Sequence, residues 1–152
     1  MIPDRITLHC SGSKNGKPLS AKSIDEYHRS QGWKSCGYHI ILGVDGLIEN
    51  AGNSPCRGLN EIGAHVSGAN EGNIGICLIG TDRFTMDQLE VLRSQLGSLQ
   101  CIYSIPDRNI FCHYEFESAK KQGKTCPSIR AANLLCWYRL WDFDAIEPWL
   151  LK

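Results

Sequence analysis

The chain has 152 residues, of which 42% are apolar and 21% charged, the balance of an ordinary globular protein. Sixteen basic and sixteen acidic side chains cancel, which argues against a nucleic-acid partner, since such partners are held through a basic excess. No apolar run reaches the roughly 18 residues of a membrane span, and the length suits one compact domain that buries roughly 70% of its unfolded surface.

Met1-Ile2-Pro3-Asp4-Arg5 lacks the basic-then-apolar pattern of a secretion signal, so synthesis and first residence are expected in the cytosol. Arg5 to Cys10 is rich in Ile, Thr and Leu and predicts a first strand ending at His9-Cys10-Ser11-Gly12. Ser11 to Leu19 is loop. Ser23-Ile24-Asp25-Glu26 has the form of a capping box and predicts a helix of about nine residues ending before Gly32. Ile24, Tyr27 and His28 follow at i, i+3 and i+4 and are expected to face inward.

Tyr38 to Gly43 is apolar and β-prone, Val44-Asp45-Gly46 carries a hairpin signal, and Leu47 to Asn50 is the returning strand. Ala51 to Gly72 is loop-like. Asn73 to Gly80 is a continuous apolar run between turn residues, which suits a fully buried central strand. Thr85-Met86-Asp87-Gln88 is a second capping box, and behind it Leu89, Leu92, Leu96, Leu99 and Tyr103 mark the inner face of a long helix. Pro106 ends that helix, and Asn109 to Cys112 is a short last strand leading into His113.

After Cys126, Pro127 suits the first position of a helix carrying Ile129, Leu134, Leu135 and Trp137. The tail from Asp142 to Lys152 offers Trp149, Leu150 and Leu151 for docking against the body. Strands interleaved with helices, without repeat or linker, give an α/β (α+β) fold: one domain over residues 1–152, with a central mixed sheet flanked by helices.

Eight cysteines without a secretion signal, in a chain large enough to build its own core, read as free thiols rather than a disulfide framework. Cys10, Cys77, Cys101, Cys112 and Cys136 sit beside apolar neighbours and are expected to be buried, whereas Cys36 and Cys56 lie in polar, glycine-rich surroundings that suit exposed thiols. There is no CxxC pair, which disfavours a four-cysteine structural zinc site.

The chemistry gathers at two ends of the chain. His113 and Cys126 flank a polar loop, Phe116 to Gly123, and imidazole and thiolate are both good zinc ligands. A catalytic site needs a third protein ligand and an open position, and His9 is the best remaining candidate. His9 and His113 each come at the end of a strand, so neighbouring strands would bring both imidazoles to one sheet edge. Two neutral imidazoles and a thiolate leave Zn²⁺ with a net charge of about +1, which suits metal-assisted hydrolysis of an amide or ester. Lys124 can add positive charge beside such a centre, and Tyr38 a phenol. Singly, each has an ordinary alternative: a packed or surface histidine, a structural cysteine before proline, a strand aromatic, a solvated loop lysine.

Taken in order, however, the pieces resemble a known family. They are His9-Cys10-Ser11, Tyr27-His28-Arg29-Ser30-Gln31-Gly32-Trp33, Gly37-Tyr38-His39-Ile40-Ile41 and Asp45-Gly46. Gly63-Ala64-His65, Gly68-Ala69-Asn70, Asn73-Ile74-Gly75-Ile76-Cys77-Leu78, His113-Tyr114-Glu115 and Lys124-Thr125-Cys126-Pro127-Ser128 complete the series. From about residue 6 to 129 the chain resembles N-acetylmuramoyl-L-alanine amidases of the phage-lysozyme and peptidoglycan-recognition-protein type, and is most similar to small phage lysozymes.

The resemblance implies a zinc ion held by His9, His113 and Cys126, with catalysis by Tyr38 and Lys124, the lysine stabilising the developing oxyanion. It places His65 at a groove position in contact with substrate; strand alternation puts His39 opposite Tyr38 as a structural residue, and His28 is expected to pack on its helix. The bond cut would join the lactyl group of N-acetylmuramic acid to L-alanine of the stem peptide. The implied partner is peptidoglycan or a muropeptide, reached during phage or prophage lysis without stable membrane insertion; a monomer is expected because no amphipathic face is left over. The rival on the same fold is a non-catalytic peptidoglycan-binding or regulatory protein; loss of the cysteine ligand marks such proteins in the family, and Cys126 is present. The stretch from Tyr114 to Gly123 is longer and more basic than the family's compact phage enzymes lead one to expect, as a groove cover, a wall contact or a tolerated insertion. The C-terminal stretch 130–152, with Trp149, runs past the resemblance and has no role assigned by it.

Overall fold

The computed structural model describes residues 1–129, 131–140, 142 and 144–151, apart from the side chains of Ala131, Ala132 and Cys136. Its strands are β1 (Arg5–Cys10), β2 (Ile40–Leu42), β3 (Ile48–Asn50), β4 (Asn73–Leu78) and β5 (Ile110–Cys112). The helices are α1 (Ala21–Ser30), α2 (Met86–Tyr103), α3 (Glu117–Lys121) and α4 (Ala131–Leu140). One mixed sheet runs in the order β3-β2-β4-β1-β5, with β2–β3 antiparallel and the other pairings parallel.

Strand alternation sorts the two faces. Ile6, Leu8, Ile74, Ile76 and Leu78 point to one side, where Leu89, Leu92, Leu96 and Leu99 of α2 and Leu134 and Trp137 of α4 close the larger core. On the other side Ile41, Cys77 and Ile79 meet Ala21 and Ile24 of α1 in a smaller cluster. Thr7, His9, Asn73 and Gly75 alternate onto that second face, and the first three are buried polar groups. The apolar run of β4 is buried along its whole length, as its composition predicted.

The long helix begins as expected: Thr85 accepts from the Gln88 N–H at 3.1 Å and the Gln88 side chain accepts from the Thr85 N–H at 3.0 Å. Gln88 Nε2 also donates to the carbonyls of Leu42 and Ile79, at 3.1 and 2.9 Å, which ties the start of α2 to the sheet. The first helix differs from expectation. Its cap is Ser20, whose Oγ accepts from the Ser23 N–H at 3.2 Å, so α1 starts at Ala21. Tyr27 is 63% exposed, and the inward face is Ala21, Ile24, Asp25 and His28. Asp25 turns inward because its carboxylate accepts the Cys36 N–H at 2.6 Å while pairing with Arg29 at 2.7 Å.

Pro127 does not open a helix. Residues 127–129 are bent backbone, and α4 starts at Ala131. Side-chain bonds hold this segment against the sheet: Cys126 Sγ accepts the Cys10 N–H at 2.9 Å, and Cys112 Sγ donates to the Ile129 carbonyl at 3.3 Å. The polar loop contains the short helix α3, anchored by buried Ala119. The tail docks as expected, its Trp149 carbonyl accepting from the Phe84 N–H and its Leu151 N–H donating to the Phe84 carbonyl, both at 2.8 Å.

Every cysteine with a described side chain is free. Cys36 and Cys56 are buried rather than exposed, because the 51–72 loop folds back over the smaller cluster they belong to. Cys101 is exposed rather than buried: its apolar neighbour Ile102 is itself 67% exposed on the outside of α2. Cys136 lies outside the described side chains.

Candidate metal centre

Parallel pairing of β1 with β5 matches Leu8 to Cys112, so the next residues of the two strands, His9 and His113, come side by side. Their ring centroids are 4.5 Å apart. The chain leaving His113 returns to the same corner, where the Tyr114 N–H donates to the Cys126 carbonyl at 3.0 Å. One potential ligand atom from each of His9, His113 and Cys126 lies within 4.8 Å of the others. The structure thus brings together the three residues singled out as ligands.

His9 is 1% exposed, while His113 and Cys126 are half-buried, so the corner is closed behind and open in front. Burial, reinforced by His65, His113 and Lys124, holds the His9 imidazole well below its ordinary range. His113 is lowered by burial and then by the Lys124 charge. Both rings are therefore neutral at pH 7, the state a metal ligand requires. The Cys126 thiol is pushed up by its hydrogen bond with the Cys10 side chain and by burial. A bound cation would reverse that balance and take the thiolate.

The donor set fits zinc. Two imidazoles and one thiolate are borderline-to-soft ligands, and three protein ligands with an open front match the pattern of a catalytic site. The outer bonds of such a centre are present too, in the Cys10 N–H on Cys126 Sγ and in a 3.0 Å bond from His9 Nε2 to His65 Nδ1. That second bond leaves Nδ1 as the free ring nitrogen of His9.

Tyr38 is half-buried with its ring centroid 5.1 Å from that of His9. Burial, reinforced by the surrounding thiols, raises its phenol well above the ordinary value, so it remains a hydrogen-bond donor. Lys124 is exposed at the front, and its charge is felt by both His9 and His113. Its backbone is fixed by a 3.0 Å bond from its N–H to the Ala119 carbonyl in the middle of α3.

Three further histidines, His28, His39 and His65, are buried. His28 stacks on Trp33 with centroids 4.4 Å apart and accepts the Gly37 N–H at 3.1 Å. His39 accepts the Gly75 N–H at 2.9 Å through Nδ1, and its Nε2 meets the Glu61 carbonyl at 3.0 Å. Both are held inside the protein, as packing residues are. His65, expected in contact with substrate, is 7% exposed and lies behind His9. Its Nδ1 is engaged by His9 and its Nε2 by the Asn73 carbonyl at 3.0 Å, which leaves no ring nitrogen for a substrate. Sequence reasoning did not assign Cys10, Asn70 or Asn73 to the site. The only local signal was polar Asn at the head of an otherwise apolar strand.

A cavity of about 380 Å³ is lined by Phe111, Tyr114, Glu115, Phe116 and Lys120, on the segment that runs through His113. A larger one of about 600 Å³ lies by Gln100, Asp107, Tyr138 and Arg139, against α2 and α4 on the opposite side of the sheet from His9. None of its lining residues belongs to the His9–His113–Cys126 corner, whereas the smaller cavity is lined by residues that flank His113 in the chain.

A family model described as N-acetylmuramoyl-L-alanine amidase matches residues 1–129. The endolysin of Escherichia phage T7 is 34% identical over 134 residues, covering 83% of this chain and 81% of the relative. Among solved structures, the N-acetylmuramoyl-L-alanine amidase LysC from Clostridium intestinale aligns with a TM-score of 0.69 at 26% identity, covering 83% of this chain and 76% of that one. Drosophila PGRP-LB aligns with a TM-score of 0.68 at 22% identity, over 84% of this chain and 76% of that one, and so shares the fold.

Proposed function

The chain belongs to the N-acetylmuramoyl-L-alanine amidase family, close to phage endolysins, and we propose that it performs that reaction at the His9–His113–Cys126 corner with a zinc ion. It is a peptidoglycan amidase. In the proposed reaction the lactyl–L-alanine amide of the muropeptide is hydrolysed to a carboxylate and a free amine. The observation that carries the metal assignment is the meeting of three ligand atoms within 4.8 Å, from residues 9, 113 and 126.

Zinc in this corner would supply Lewis acidity to the scissile carbonyl and acidify a water molecule. The chain's own groups do the rest. Tyr38 presents a protonated phenol beside His9 and donates to the oxygen that gains charge as the carbonyl becomes tetrahedral. Lys124 contributes a positive charge on the open side, where it opposes the same developing negative charge. The wall of Phe111, Tyr114 and Phe116 beside His113 offers a surface for the muropeptide. The reading also includes one domain over the whole chain, a monomer made in the cytosol, and a role in phage or prophage lysis. No helix among the described residues is long and apolar enough to cross a membrane.

The test is release of free L-alanine amino termini from purified peptidoglycan, measured with zinc and after chelation. Zinc-dependent release is expected. Release that persists after complete removal of metal would sink the zinc assignment, and absence of release from zinc-loaded protein would sink the site.

A further inference from the structure

We propose that His65 is a positioning residue that fixes the tautomer of His9, and so aims the bare Nδ1 of His9 at the metal. The inference rests on the zinc reading for its purpose and on the hydrogen bonds below for its argument.

The chain of donors and acceptors has one self-consistent assignment. The Asn73 carbonyl can only accept, so His65 Nε2, 3.0 Å away, carries the proton. In a neutral imidazole the other nitrogen is then an acceptor, so His65 Nδ1 receives a hydrogen bond from His9 Nε2 at 3.0 Å. His9 Nε2 must hold the proton for that bond to exist. Its Nδ1 is left with a free lone pair, on a ring that has a ligand atom within 4.8 Å of those of His113 and Cys126. A backbone carbonyl at the head of β4 thereby sets the protonation pattern of a residue on β1, through one intervening ring.

The surroundings hold His65 in that role. The Asn70 side chain accepts the backbone N–H groups of His65 and Val66, each at 2.8 Å, which pins the loop. Asn73 is held in turn by a 2.8 Å bond to the Ala69 carbonyl and accepts from Thr7 Oγ1 at 2.9 Å. Two glycines make room for the ring. A Cβ on Gly75 would sit 2.7 Å from His65 Cδ2 and Cγ, and one on Gly63 would sit 2.7 Å from His65 Cδ2. The imidazole thus lies close against the backbone at Gly63 and Gly75, where any side chain would displace it.

The test uses full-length protein and three variants. His65→Ala removes the acceptor; His65→Asn restores a carbonyl oxygen near the position of Nδ1; Gly75→Ala crowds the ring. Zinc affinity is measured by competition with a chromophoric chelator, and the His9 tautomer by long-range proton–nitrogen NMR of the metal-free protein. Expected are a His9 ring protonated on Nε2, zinc binding weakened roughly 10–100-fold in His65→Ala and Gly75→Ala, and partial recovery in His65→Asn. Wild-type zinc affinity in a folded His65→Ala, or a His9 ring protonated on Nδ1 in the wild type, overturns the proposal. So does slower wall hydrolysis by His65→Ala with zinc affinity intact, which is the signature of a substrate contact. Failure of the wild type itself to bind zinc would overturn the metal reading, and the parallel titration of the wild type tells that outcome apart.

Discussion

The backbone N–H of Cys10 donates to Cys126 Sγ at 2.9 Å, a bond that spans 116 residues of chain. It places the thiol at the end of β1, beside His9, and offers a donor to the charge a thiolate would carry. Cys126→Ser should keep the fold, because a hydroxyl can still accept that N–H. It should lose zinc, since an alcohol is a poor ligand where a thiolate is a good one. Amidase activity should then fall by about 1,000-fold or more, the loss expected when several kcal/mol of metal stabilisation disappears. Zinc content by mass spectrometry and amine release from peptidoglycan check the two halves separately.

Tyr38→Phe should lower kcat by about 100–1,000-fold while zinc affinity stays within twofold of wild type, as for loss of one donor to a developing oxyanion. The ring itself remains, and with it the packing on His9 and on His28, whose centroid lies 5.5 Å from that of Tyr38. Lys124→Ala should also lower kcat, with stability changed by no more than about 0.5 kcal/mol because the side chain is exposed. Equal activity in either variant would remove that residue from the catalytic account. Steady-state rates on soluble muropeptide, with a zinc titration of each variant, separate chemistry from metal binding.

The frame of this site was legible in the sequence because its strands and long helix carry strong local signals, whereas the candidate ligands stood out through the family resemblance. β1 and β4 carry long apolar runs, and α2 carries a capping box and a period of three and four. That His9 and His113 meet depends on β5 pairing with β1, a long-range choice that no local pattern dictates. Ser20 and Ser23 both offer a capping hydroxyl at the start of α1, and the chain uses the earlier one. The proline rule for helix starts failed at Pro127 because Cys126 and Ile129 are already tied to the sheet. The surroundings of His65 were hidden for a related reason: only the folded loop brings its ring within 3.0 Å of His9 Nε2.

Acid should destabilise the metal-free protein well before its carboxylates titrate. His65 is lowered to about 3 by burial, and His9 and His113 are lowered in the same direction from the ordinary value of 6.5. Between pH 6.5 and about 3 the unfolded chain therefore binds protons that the folded chain refuses. Stability contributed by these rings is present above pH 6.5 and is lost progressively as pH falls through that window. The melting temperature of chelator-treated protein should decline steadily from pH 7 to 4, and His65→Asn should show a shallower decline. A flat profile from pH 7 to 5 would mean that the buried imidazoles titrate as free ones do.

Asp25 connects the first helix to the backbone that carries Tyr38. Its carboxylate, lowered by the Arg29 hydrogen bond, accepts the Cys36 N–H at 2.6 Å, and one turn further along α1 the His28 Nδ1 accepts the Gly37 N–H at 3.1 Å. These two bonds fix the backbone immediately before Tyr38, and they lie on a helix that supplies no ligand. Asp25→Ala leaves the buried Cys36 N–H unpaired, which should cost about 1–3 kcal/mol of stability. It should also loosen the Tyr38 phenol relative to His9, so kcat should fall while zinc affinity is unchanged. Asp25→Asn keeps an acceptor oxygen and should restore most of both. Denaturant melts read beside single-turnover rates decide the matter: a stability loss with undiminished kcat would confine α1 to a structural role.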